Sequence, residues 1–299
     1  MTHPARLFVV FVLLLLALVV SGCGSSSSGS SATLPPEGAV GFRVNSLELQ
    51  HPHFIFDEQN LGICEDITFD DYEFLNIDGL NPQIGSRVDS LELNLVQLLD
   101  PIGMSEGDEG DATMFDSECT DETNCVPAED GELAMADFTV SESEACLADD
   151  PGIYEGMWPD GRTSDLNTAD PGELACYVSD TTSMALTLEL EGESLTLPLQ
   201  AVRIGARFDD DSATAVEDGL IIGFLSEEDA DGIVVEFGSG SYNLGEDLLP
   251  SDGAGGTACE PSTHCDGPDA RVSHNGQCGW WFAFNFTGQR LDDVSGYED

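Results

Sequence analysis

The clearest periodicity in the chain lies between Met184 and Phe237. Leu186, Leu188 and Leu190 alternate with Thr187 and Glu189, and Leu195, Leu197 and Leu199 alternate with Thr196 and Pro198. A period of two marks half-buried strands, and Glu191-Gly192-Glu193 between the runs predicts a hairpin. Val202, Ile204, Ala206 and Phe208 keep the same period. After the Asp218-Gly219 turn, Leu220 to Phe224 is apolar enough for the middle of a sheet. Ser226, with Asp229 three residues on, has the spacing of a helix N-cap, so a short helix is predicted there. Ile233 to Phe237 predicts a returning strand.

Upstream, Val40 to Leu49 alternates as a strand, and Ile84 to Leu93 repeats its pattern with the same Arg-Val and Ser-Leu-Glu-Leu. The flanks do not continue the match, which favours two strands converging on one pattern over an internal duplication. Pro101 to Asp180 is rich in Asp, Glu, Gly, Ser and Thr. It reads as long loops with short strands at Leu133–Val140 and Ala175–Val178. Near the end, Trp280, Phe282, Phe284 and Phe286 share one face of a strand, and rings so placed are expected in a core. Trp281 and Asn285, on the opposite face, become the candidate exposed ligand contacts. The sum is an all-β chain, most economically an antiparallel β-sandwich with long disulfide-stapled acidic loops; a closed β-barrel is the alternative.

The N-terminus changes the picture of where such a domain works. Arg6 precedes an unbroken apolar run from Leu7 to Val20, then Ser21-Gly22-Cys23. The run is shorter than the roughly 20 residues a bilayer-spanning helix needs, and its three parts are those of a secretory signal. Small residues directly before cysteine resemble the lipobox of bacterial lipoproteins. That resemblance implies cleavage before Cys23, lipid on the Cys23 thiol, and anchoring to a membrane through acyl chains. With Gly rather than Asp at position 24, it implies sorting to the outer membrane, with the periplasmic or surface face left open. The domain plan is therefore 1–22 signal peptide, 23–38 lipidated cysteine and Gly/Ser/Pro tether, 39–290 acidic β domain, and 291–299 acidic tail. The tether behaves as a coil with a reach of about 20 Å. The Asp218-to-Ser226 strand and the terminal Gly-Trp-Trp-Phe strand resemble those of uncharacterised secreted proteins and lipoproteins of Gram-negative bacteria, which supports the envelope location and implies no activity.

Charge excludes one class of partner. The formal net charge is −50, with 58 acidic residues against 8 basic ones, all arginine. Nucleic-acid binding needs clustered Lys and Arg and is not expected. Acids spread along the whole chain indicate a hydrated surface for a saline medium. Apart from Cys23, eight cysteines remain for disulfides in an oxidising compartment: Cys64, Cys119, Cys125, Cys146, Cys176, Cys259, Cys265 and Cys278. Proximity suggests Cys119–Cys125 and Cys146–Cys176.

Chemistry is sparse. No Gly-x-Ser-x-Gly elbow occurs. His51-Pro52-His53 and His264-Cys265 match no zinc framework and are expected at the surface. For calcium, the candidates are Asp209, Asp210 and Asp211 in one loop and Asp229 and Asp231 in another; the latter starts like an EF-hand but has Gly238 where the bidentate Glu belongs. No other cofactor is expected. The function expected from sequence is a lipid-anchored cell-envelope protein with a non-catalytic binding or structural role and an unknown envelope or extracellular ligand. The rival is an envelope hydrolase with a carboxylate-based site.

Overall fold

The computed structural model describes residues 38–57, 64–69, 79–142, 146–147, 165–167, 174–190, 193–237, 240–249 and 273–297. The segments expected to be signal peptide and tether, and Cys259, His264 and Cys265, lie outside the described residues. Fourteen strands are described: β1 (Val40–His51), β2 (Ile55–Asp57), β3 (Cys64–Asp66), β4 (Leu95–Asp100), β5 (Glu109–Cys119), β6 (Cys125–Ser141), β7 (Cys176–Ser179), β8 (Thr182–Leu190), β9 (Glu193–Phe208), β10 (Ala215–Ser226), β11 (Val234–Phe237), β12 (Gly240–Asn243), β13 (Ser273–His274) and β14 (Gln277–Arg290). Two α-helices are described with them, α1 (Leu80–Asp89) and α2 (Glu227–Asp231), together with a π-helical turn at Leu244–Leu248 and a 3-10 turn at Ser295–Tyr297.

Hydrogen bonding runs β1-β4-β5-β6-β7-β9-β10-β14, and β14 pairs back onto β1, so eight antiparallel strands close into a barrel. The all-β class holds, and of the two architectures the chain takes the closed barrel, not the two-sheet sandwich. Closure comes from β14, which is long enough to pair with β10 along one edge and β1 along the other. It leaves neither strand with an open edge there.

Inward positions of the barrel carry Phe42, Met114, Phe138, Tyr177, Phe208 and Phe284, all nearly devoid of solvent contact. Burying each large side chain is worth about 1.5–3 kcal/mol. Ring size is balanced by glycine: Gly219 is the register partner of Phe286, whose ring lies 2.6 Å from where a Cβ on Gly219 would stand. Among the described residues a polar bond joins two strands within this interior. The Tyr177 hydroxyl on β7 donates to Oε1 of Gln97 on β4, while Gln97 Nε2 is buried with no partner.

The β8–β9 hairpin extends beyond the ring, because only the second half of β9 pairs with β7 and β10. Met184, Leu186, Leu188, Leu195, Leu197 and Leu199 turn into the main core, and α1 packs against β1 and β8. Ser226 caps α2 as its spacing predicts, accepting from Asp229 N at 3.1 Å and donating to Asp229 Oδ2 at 2.6 Å.

Two expectations are corrected. Ile84 to Leu93 is no strand: its first part is the end of α1, with Ile84 and Val88 on the buried face beside Leu80. Pro82 falls in the helix's first turn, where a missing N–H costs nothing, and Leu91, at φ 62°, turns the chain after the helix. Identical Arg-Val and Ser-Leu-Glu-Leu sequences are thus strand at 43–49 and helix end and turn at 87–93. Pro101 to Asp180 also holds more sheet than expected, because β5 and β6 are full barrel strands. Their inward residues are Ala112, Met114, Ala134 and Phe138, while acids and threonines face outward, so the apolar alternation is weak. Within the stretch 291–299, Leu291 and Tyr297 are buried and the Tyr297 hydroxyl donates to Ser117 Oγ at 2.9 Å.

Candidate functional site

The outer face of β10 and β14 carries the residues singled out as ligand contacts. Trp281 lies there, but it is 6% exposed, against the expectation of an exposed ring. It meets Phe224 edge-on at 5.4 Å and His274 at 5.5 Å, and it clusters with Leu147, Leu220, Ile222 and Ala283. Its Nε1 is buried with no hydrogen-bond partner. Asn285 is equally committed: its side chain accepts from Asn167 N at 2.9 Å and donates to Asp165 O at 2.6 Å. Asn167 Nδ2 in turn donates to Gly219 O at 3.0 Å, and Leu166 packs on the same cluster. Residues 146–147 and 165–167 are thus laid over Trp281, and Asn285 fastens the second of these segments. Alternation along β14 shows which residues leave the interior; it does not show which distant segment covers them.

That cover is tied to the sheet by covalent chemistry. Cys146–Cys176 joins residue 146 to β7, and Cys119–Cys125 staples the β5–β6 hairpin, the two pairings that proximity suggests. Cys278 is also disulfide-bonded.

The acidic candidates do not converge. Asp209 accepts from Ala215 N at 2.8 Å and Thr214 Oγ1 at 2.6 Å, and Asp210 accepts from Ser212 N at 2.8 Å. Asp211 is exposed beside them. Asp229 accepts from Ser226 Oγ and from Gln200 Nε2 at 3.3 Å, and the Asp231 carbonyl accepts from Asn243 Nδ2. Among the described residues no three His, Cys, Asp or Glu side chains form a metal-sized group. The same habit recurs elsewhere. Asp108 accepts from Ser105 N, Asp121 from Thr123 N and Asn124 N, Asp247 from Asn243 N and Asp293 from Ser295 N. The Asn124 side chain and the Thr123 N–H hold the Asp121 carboxyl below its usual range, and the Ser295 N–H does the same for Asp293. In a chain with few cations, loop carboxylates take backbone N–H groups as their partners.

The histidine pair is the larger correction. His51 and His53 are 2% and 0% exposed, so neither is a surface group. His53 Nδ1 lies 2.5 Å from Asp66 Oδ2, and its ring meets Phe69 at 5.0 Å. Burial pushes the Asp66 carboxyl up, but the bonds and charge of His53 and the Thr68 N–H outweigh it and hold the pKa below normal. Burial, and next the neighbouring His53, lower the His51 pKa from 6.5 to about 3. The signal for this burial was present in the apolar flanks Leu47, Leu49, Phe54 and Ile55, all in the core. No family model, curated protein or solved structure matches the chain.

Proposed function

We propose that the chain is a lipid-anchored protein of the bacterial cell envelope, with a non-catalytic binding or structural role in a saline medium. The observation that carries the non-catalytic part is the use made of the loop carboxylates. Those of Asp108, Asp121, Asp209, Asp210, Asp247 and Asp293 cap backbone N–H groups of their own turns. Such acids shape and hydrate a surface; paired catalytic carboxylates have to face one substrate across one cleft. Support for the anchor is the apolar run ending in Ser21-Gly22-Cys23, and support for the saline medium is the acidic composition, whose self-repulsion salt screens.

The test is metabolic labelling of the full chain with a palmitate analogue in a Gram-negative host, followed by membrane fractionation. The expected result is label on the native chain in the outer-membrane fraction, and none on Cys23→Ser. Label retained by Cys23→Ser, or an unlabelled native chain in the soluble periplasmic fraction, would remove the anchor from the proposal.

A further inference from the structure

Strand β8 has a backbone-paired neighbour on one side alone among the described residues, namely β9; at its start the Thr182 hydroxyl also donates to Met135 O of β6 at 3.0 Å. Its buried side is Met184, Leu186 and Leu188, and Ala185, Thr187 and Glu189 are exposed. The register fixes which backbone groups face the open edge. Ala185 stands opposite Pro198, which has no N–H, so this pair is of the kind that exchanges no hydrogen bonds. Alternation then makes Thr187–Thr196 and Glu189–Ser194 pairs of the same kind, and the 3.0 Å approach of the Thr187 and Thr196 hydroxyls fits the closer spacing of such pairs. The N–H and C=O groups of Ala185, Thr187 and Glu189 therefore point away from β9, along a straight row without proline. Natural sheets guard such rows with charge or proline, and this one has neither guard at its centre.

Charge decides what fits there. The chain carries −50 overall, yet Thr182 to Leu190 holds a single carboxylate, Glu189. Glu189 is ion-paired with Arg87 of α1 at 2.5 Å. A cationic partner is drawn to the acidic remainder of the surface, whereas an equally acidic partner can approach closely only where carboxylates are missing or neutralised.

We propose that the open edge of β8 is a self-association surface, on which a second copy of this chain adds its own β8 antiparallel about a two-fold axis at Thr187. In that register Thr187 faces its counterpart and Ala185 faces the second copy's Glu189. The two Glu189 side chains are kept apart, and the acidic hairpin tips lie at opposite ends. A two-fold contact of this kind is closed and does not propagate into fibres.

The test uses the full chain with Thr187→Cys or Ser183→Cys, treated in intact cells with a short bifunctional thiol cross-linker. Thr187→Cys is expected to give a covalent band of twice the chain mass, its Cα atoms lying about 5.5 Å apart across the axis. Ser183→Cys, on the same edge but away from the axis, is expected to stay monomeric. In parallel, the native chain in detergent and 1 M sodium chloride should sediment as a dimer, and Thr187→Pro, which removes an N–H not used by β9, as a monomer. A monomeric native chain, equal cross-linking at both positions, or a Thr187→Cys product of any other mass overturns the proposal.

Discussion

Acidification should weaken this fold through one imidazole. His51 is held neutral in the core with a pKa of about 3, while in the unfolded chain it titrates near 6.5. The folded pKa is depressed, so the unfolded state binds the proton first, and stability present above pH 6.5 is lost as pH falls toward 3. Each unit in that window costs about 1.36 kcal/mol, which makes the loss between pH 7 and pH 5 about 2 kcal/mol. Asp66, whose pKa is also depressed, stays ionised at pH 5 in both states and adds its loss only below the ordinary carboxylate range. Protonating surface acids works the other way, relieving repulsion in a chain of −50. In 1 M sodium chloride the Debye length is about 3 Å, and that opposing term is screened. Urea unfolding of the native chain and of His51→Asn at pH 7 and pH 5 in this salt isolates the imidazole. Whatever constant amount His51→Asn loses, its pH 7 to pH 5 loss should be smaller than the native one by about 2 kcal/mol. Parallel pH profiles would refute the reasoning.

Tyr177→Phe should cost about 1–3 kcal/mol in urea unfolding, because Gln97 is left with no hydroxyl and its Nε2 already lacks a partner. The double change Tyr177→Phe with Gln97→Leu should recover part of that loss, since both polar groups then leave the interior. The two described disulfides should differ in weight. Cys146–Cys176 spans 30 residues and Cys119–Cys125 spans 6, so chain entropy assigns losses of about 3.5 and 2 kcal/mol to their double serine variants. Equal losses in the melting curves would show that loop length is not what matters. Millimolar calcium in 1 M sodium chloride should leave the thermal midpoint where chelator leaves it, because Asp209 and Asp210 already accept from their own loop. A calcium-dependent rise that Asp210→Asn abolishes would place a site there.

Local pattern carried much of this structure. The leucine alternation of β8 and β9, the Ser226 cap of α2 and the inward aromatics of β14 are decided by residues within a few positions of one another, and all were legible in the sequence. Proximity was enough for Cys119–Cys125 and Cys146–Cys176, because short separations limit where two thiols can meet. The strands β5 and β6 were masked by their own composition: alanine and glycine on the inward face give little contrast with acids and threonines on the outward one.

Other features depend on contacts between segments far apart in sequence. Alternation marks two faces of a strand identically whether a sheet stays open or closes, and only the dual pairing of β14 with β10 and β1 makes this one a barrel. It likewise separates Trp281 from Trp280 without revealing that Leu147 and Leu166 cover it. The same Arg-Val and Ser-Leu-Glu-Leu residues form a strand at 43–49 and a helix end and turn at 87–93, because each stretch takes the conformation that buries its own valine and neighbours. His51 and His53 read from sequence as surface groups, and Asp66, 13 positions beyond His53, helps make them core. Sequence by itself determined the alternation of β8, β9 and β14, the Ser226 cap and the acidic character; tertiary structure decided closure, cover and the fate of the polar groups, since those depend on which distant neighbour removes the water.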